Sequence, residues 1–149
     1  MIFVQNIVII IILDNKKVIK IHIIRIEIIS VFEIKIYETS AGNRPFEKYI
    51  EKLLKQHKED EVYEIRAYLN KLKEFGSKIN ENFKPMAIKP LREDIYELRP
   101  SSSRIFFFYF RNGVFIILHG YEKKQNKTDP KEIEKAILEK KDYIKRSKK

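Results

Sequence analysis

The sequence predicts an α+β domain from Phe32 onward, and three observations carry that prediction. An alternating strand is followed by two stretches with helical apolar spacing. Three further apolar runs stand close together, the last two separated by Asn112-Gly113, a strong hairpin signal. A proline-led helix start at Asp129-Pro130 closes the series. The order strand, helix, helix, strand, strand, strand, helix gives a small antiparallel sheet, with the two N-terminal helices packed on one face and a C-terminal helix.

Taken in order, residues 1–31 are an isoleucine-rich extension unlike the rest. Ile7 to Leu13 is continuously apolar, Asp14 to Lys17 interrupt it, and isoleucine returns through Ile29. The apolar run is far short of the roughly 20 residues a membrane-spanning helix needs. A basic stretch before it and small residues after it, the marks of a signal peptide, are missing. Two readings fit: a β-hairpin turning at Asp14-Asn15, or upstream sequence read as protein, with the working domain spanning 32–149.

In that domain Phe32, Ile34 and Ile36 alternate with Glu33, Lys35 and Tyr37, the pattern of a half-buried strand. Pro45 suits a first helical turn, and Phe46, Ile50, Leu53 and Leu54 recur at helical spacing. Val62, Ile65, Leu69, Leu72 and Phe75 mark a second helix, which Gly76 ends. Tyr49, Tyr63 and Tyr68 read as core or boundary residues. A loop from Ser77 to Pro90 carries Phe83, Met86 and Ile88 as its apolar pins. Strands are expected over Ile95 to Leu98, Arg104 to Phe110 and Val114 to Leu118. Asp129 as N-cap, Pro130 at N1 and Glu132 at N3 begin the last helix, with Ile133, Ile137 and Ile144 as a thin apolar stripe. From Lys140 the chain is mostly basic, either a solvated end or a phosphate-contacting arm.

Composition limits the chemistry. Lysine plus arginine number 31 against 21 acidic residues, a formal charge of +10, so the expected partner is a polyanion or an acidic protein. A solvated basic surface is the plainer alternative. There is no cysteine, and His22, His57 and His119 have no metal-ligand spacing, so no metal site and no cofactor are expected. No glycine-rich phosphate loop is present.

Two stretches concentrate the functional residue types: Pro90 to Arg104 and Leu118 to Thr128. Arg104 lies eight residues before Asn112 and Tyr121 eight after Gly113, so the hairpin sets Arg104 opposite the His119-to-Lys123 region. Arg99 approaches the same edge. Such a cluster suits a phosphodiester: arginine forks phosphate oxygens, lysine adds charge, and His119 or Tyr121 exchanges protons. RNA can be cut without a metal, its own 2′-hydroxyl being the nucleophile. The plainer alternatives are that Arg99 and Arg104 pair with Glu97 or Asp94, and that His119 is a satisfied core histidine.

The stretches Phe32-Glu33-Ile34-Lys35-Ile36-Tyr37-Glu38-Thr39, Lys89-Pro90-Leu91-Arg92, Ile95-Tyr96-Glu97-Leu98-Arg99, Arg104 with Tyr109, and His119-Gly120-Tyr121-Glu122-Lys123-Lys124 before Lys127-Thr128 and a helix carry a resemblance. Together they resemble the phage-derived HigB-like branch of the RelE/ParE toxin superfamily, from about Phe32 to Lys145. The resemblance implies a cytoplasmic toxin of a type II toxin–antitoxin system that cleaves messenger RNA on the ribosome without metal. It also implies a cognate antitoxin, commonly a helix-turn-helix DNA-binding protein, and no membrane partner. It makes Arg104, His119, Tyr121, Lys123 and Lys124 the expected catalytic group and Arg92, Arg99 and Lys127 the expected RNA contacts. Some RelE toxins carry lysines where this chain has Ile95, Tyr96 and Glu97. Relatives also include gyrase inhibitors, so a non-catalytic binding protein or an inactive phage-derived relative is the alternative.

Overall fold

The computed structural model describes residues 4–14, 17–28 and 32–148, with side chains from 32 to 148. The chain divides into two compact units, Met1–Val31 and Phe32–Lys149. In the first, β1 (Val4–Asp14) and β2 (Lys17–Ile28) pair antiparallel, from Val4 opposite Ile28 to Asp14 opposite Lys17. Runs of β-branched isoleucine favour this extended form. The expected turn at Asp14-Asn15 involves Asn15, which lies outside the described residues.

The second unit is built from β3 (Glu33–Ile36), α1 (Pro45–Lys55), α2 (Glu59–Phe75), a short α3 (Ile79–Asn82), β4 (Ile88–Pro90), β5 (Tyr96–Leu98), β6 (Ser103–Tyr109), β7 (Val114–Glu122) and α4 (Pro130–Ser147). Its five strands lie in the order β3-β7-β6-β5-β4. Hairpins join β4 to β5, β5 to β6 and β6 to β7, and all three pairs are antiparallel. The β6–β7 turn has positive φ at both Asn112 and Gly113, with the Val114 N–H donating to the Arg111 carbonyl at 3.0 Å and the Phe110 N–H to the Val114 carbonyl at 2.8 Å.

Two features differ from the sequence expectation. First, β3 pairs parallel to β7, which makes the sheet mixed. No tight turn links those two strands, since α1 and α2 carry the chain across the sheet, and so nothing forces them to run antiparallel. Second, Ile88–Pro90 forms an edge strand inside the expected loop. That loop is pinned by Ile79, Ala87 and Ile88, whereas Phe83 and Met86 are exposed. The C-terminal helix, expected but not assigned to a face, is α4, which covers the opposite face of the sheet from α1 and α2, so both faces are packed.

The two faces have separate cores. Phe46, Tyr49 and Leu53 of α1 and Ile65, Tyr68 and Leu72 of α2 pack on Leu98, Ile105, Phe107, Phe115 and Ile117. Tyr63, by contrast, is 71% exposed. On the other face Ala136 and Ile137 of α4 pack on Ile95, Phe106, Phe108, Ile116 and Leu118, with Tyr143 and Ile144 beside them. The basic C-terminal stretch is therefore part of a packed helix rather than a free arm. Lys140 Nζ donates to the Glu93 carbonyl at 2.6 Å, and Arg146 pairs with Asp142.

Alternation along β7 breaks at one place. Ile105 stands opposite Gly120 and Phe107 opposite Ile117, so Leu118 and His119 together face Phe106. This bulge turns both of them toward α4 and hands Gly120 to the α1 face.

Candidate functional site

Beyond the bulge, β7 ends against the start of α1 and the loop that leads into α4. Between them lies a cleft of about 430 Å³, within the range of ligand sites. Lys48 and Lys52, one turn apart on α1, form one wall, and Lys124 and Lys127 of the loop form the other. Tyr49, Gly120 and Tyr121 also line it. None of the four lysines is ion-paired among the described residues; Lys48 Nζ donates to the Asn43 side-chain carbonyl at 2.7 Å.

The floor is set by close packing. A methyl group on Gly120 would come within 2.5 Å of the Tyr49 ring and 2.7 Å of Ile105, so only glycine lets α1 lie this near β7. The Tyr49 hydroxyl is 2.7 Å from Ser103 Oγ, and burial pushes its pKa up to about 12. The Tyr121 ring stacks on Phe106 at 5.8 Å, and its hydroxyl accepts from the Asp129 N–H at 3.3 Å. Burial raises the Tyr121 pKa as well. Both tyrosines therefore carry their protons at neutral pH.

Three carboxylates line the cleft, and two are engaged structurally. Glu122 accepts from Lys58 Nζ at 2.6 Å, a bond that holds it below the usual carboxylate range. Asp129 caps α4 by accepting from the Lys131 N–H at 2.9 Å. The third, Glu132, does not reach back to the Asp129 N–H as a capping box would have it. Its Oε2 lies 2.9 Å from His119 Nε2.

Behind Tyr121 sits a buried polar cluster. Arg104 stands opposite Tyr121 on β6. Its Nη1 donates to the Ser101 and Ser103 carbonyls at 3.1 and 2.7 Å, bracing the β5–β6 turn. Its Nε is 3.5 Å from Glu97 Oε1, and Arg99 Nε is 3.2 Å from the same oxygen. These are ion pairs rather than hydrogen bonds: neither Glu97 Oε1 nor Arg99 Nε has a hydrogen-bond partner among the described residues. The other Glu97 oxygen accepts from Thr128 Oγ1 at 2.7 Å. Glu97 is fully buried and Arg104 only 6% exposed. Burial, and then the neighbouring Arg99 charge, lower the Arg104 pKa, with Glu97 opposing them.

The expected site residues thus fall into three groups. Tyr121, Lys124 and Lys127 line the cleft, and Lys123 stands at its edge, its N–H donating to the Ser102 carbonyl at 2.8 Å. Arg99, Arg104 and His119 lie behind it, in contact with protein groups. His119 is 1% exposed, with Nδ1 2.6 Å from Glu139 and its ring 4.9 Å from Phe106. Arg92 is not part of the assembly: it pairs with Glu134 of α4, at the end of β5 away from Arg99.

Lys48, Lys52 and Glu132 are cleft residues that the sequence reading did not single out as functional. The i, i+4 lysines opposite the Phe46–Leu53 stripe were the available signal for two of them. They read equally well as a solvated helix face, and Lys52 also as a cation suited to the C-terminal end of α1. Among the described residues no His, Asp and Glu cluster could hold a metal ion. Among the same residues, no helix is long and apolar enough to cross a membrane.

A comparison with curated proteins returned no match. The family model described as "Phage derived protein Gp49-like (DUF891)" matches residues 51–141, which include β7, the lysine loop and most of α4. With more than half its length matched, the chain belongs to this Gp49-like phage-derived family, a family associated with the toxins of toxin–antitoxin systems.

Proposed function

We propose that this chain is the toxin of a type II toxin–antitoxin pair, of the RelE/HigB type, and that it cuts messenger RNA on the ribosome. The observation that carries this reading is the cleft with four lysines that form no ion pair among the described residues, two from α1 and two from the loop before α4. An RNA strand is a row of phosphates, and lysines on both walls neutralise successive ones. Tyr121 supplies a stacking face and a hydroxyl donor at the same place. Cleavage uses the 2′-hydroxyl as nucleophile, so the protein supplies a base, a proton for the departing 5′-oxygen, and cations around the phosphorane. In this reading Lys123, Lys124 and Lys127 are the cations, and Arg99 and Arg104 hold the loop and the β5–β6 turn around them. The partner is an acidic antitoxin of helix-turn-helix type that covers the lysines.

A second reading has an observation of its own. Arg104 and His119 are buried against protein groups, which favours a non-catalytic toxin-fold protein that binds its target with the lysines alone. One experiment separates the two. Expressed protein should arrest growth, and primer extension on translated messenger RNA should show new ends. Lys124→Ala with Lys127→Ala should abolish both and lower the slope of log affinity against log salt by about 1.4, some 0.7 per lost phosphate contact on a single strand. Growth arrest with intact messenger RNA would support the binding protein and remove the nuclease.

A further inference from the structure

His119, Glu132 and Glu139 form a chain that leads from the core to the cleft. Glu139 is buried on α4, with Oε2 2.6 Å from His119 Nδ1. His119 Nε2 is 2.9 Å from Glu132 Oε2. Glu132 is 30% exposed and lines the lysine cleft. Of the three carboxylates there it alone is neither paired with a cation from lysine or arginine nor used as a helix cap. Its second oxygen, Oε1, has no protein partner among the described residues. The β7 bulge makes the contact, since regular alternation would point His119 at the α1 face.

We propose that Glu132 is the general base of this cleft and that His119, locked by Glu139, is its positioning residue. The inference rests on the nuclease reading above and names the group which that reading leaves open. Glu132 Oε1 takes the 2′-hydroxyl proton while Oε2 stays on His119 Nε2, which fixes the carboxylate plane. The 2′-oxygen forms its bond to phosphorus and the bond from phosphorus to the 5′-oxygen breaks. The ammonium of Lys124 or Lys127 gives the leaving oxygen its proton. The products are a 2′,3′-cyclic phosphate and a 5′-hydroxyl, with no electron transfer and no co-reactant. The lysines around the cleft screen the phosphate that the base must approach.

The test uses the full chain on ribosomes programmed with a defined messenger RNA, read by primer extension under single-turnover conditions. Glu132→Gln keeps shape and hydrogen bonding but cannot take a proton. Its cleavage rate should fall by about 100-fold to 10,000-fold, the usual contribution of a general base. Its affinity for the programmed ribosome should be unchanged or tighter, because a negative charge leaves the cleft. Glu132→Asp should recover part of the rate. His119→Gln should slow cleavage about 10-fold with affinity unchanged, as expected of a residue acting through Glu132. Thermal melts check that each variant is folded; should Glu132→Gln unfold, Glu132→Asp and His119→Gln carry the test alone. If the wild type cleaves and Glu132→Gln cleaves within about threefold of it, the base assignment is overturned and the nuclease reading stands. If the wild type leaves a 5′-hydroxyl at no site, both fall together.

Discussion

The two faces of the sheet bury side chains of different kinds. Under α1 and α2 the buried set is apolar or aromatic, from Leu53 and Leu72 to Phe107 and Ile117, with the uncharged Ser103 bonded to Tyr49. Under α4, Phe106, Phe108 and Leu118 share the interior with Glu97, Arg104, His119 and Glu139. One face is held by area removed from water, and the other in addition by charges that compensate each other. A hydrophobic face tolerates swaps of similar volume, whereas a buried charge is tolerated only with its partner. The charged groups also gather at one end, behind Tyr121 and under Glu132. The α4 face is thus the part of the fold where substitution should unlink stability from activity.

The strongest test of this contrast is Glu97→Leu. It leaves Arg104 and Arg99 without their shared carboxylate, and breaking a buried pair from one side costs about 3–5 kcal/mol. Urea unfolding should show a loss of that size. Combining Glu97→Leu with Arg99→Met and Arg104→Met should return most of it, since the penalty comes from the unpaired charges. Growth arrest should not return with it, because the β5–β6 turn then lacks the Arg104 brace. A triple variant no more stable than Glu97→Leu would show that the cluster is held by more than charge balance.

Gly120→Ala probes the opposite face with the smallest change available. The added methyl meets Tyr49 and Ile105 in a packed layer, and overpacking of this kind costs about 1–3 kcal/mol. Tyr49 must move, and with it the α1 wall that carries Lys48 and Lys52. The variant should melt lower and bind RNA more weakly, and Tyr49→Phe should not rescue it, since the clash is with ring carbons. Unchanged stability would mean that α1 shifts freely against the sheet.

How much of this was legible in the sequence follows from how local each determinant is. Counting outward from the Asn112-Gly113 turn placed Arg104 opposite the right stretch of β7, at Tyr121, because the one-residue offset beside the turn, where Tyr109 faces Phe115, is taken up by the bulge further along. Asp129-Pro130 announced the α4 start because the cap acts within one turn. The bulge at Leu118-His119 left no mark, since neither residue demands it, and it decides which face His119 meets. Glu132 read as half of a capping box, and its real partner, His119, arrives from the sheet. Lys48 and Lys52 were invisible as site residues because an exposed lysine on a helix looks the same with or without a facing loop. The α+β class rests on periodicity and survives such misses; the parallel β3–β7 pair and the cleft depend on contacts between distant segments.

The rim of the α4 face offers a milder version of the buried cluster. Asp142 accepts from the Tyr37 hydroxyl at 2.8 Å and from Arg146 at 2.7 and 3.0 Å. The bonds from Arg146, then from Tyr37, hold the Asp142 carboxyl below its ordinary range, while burial, then the bond to Asp142, push Tyr37 up to about 12. A carboxylate depressed in the folded state adds stability that is fully present above its unfolded pKa, about 3.9. That stability is lost as pH falls through the lower, folded value. Asp142→Asn should therefore melt lower than wild type at neutral pH, with the gap closing in acid, as pH falls through the lowered folded value and the wild type loses that charge. Asp142 is more than a third exposed, so solvent screening keeps the neutral-pH gap under about 1 kcal/mol. That would be the smallest of these effects, several-fold below the Glu97 penalty although the Arg146 contacts, at 2.7 and 3.0 Å, are shorter than the 3.2 and 3.5 Å between Glu97 and its arginines. A gap of equal size at both pH values would assign the loss to packing of the Tyr37 ring instead, and would remove charge from the account of this rim.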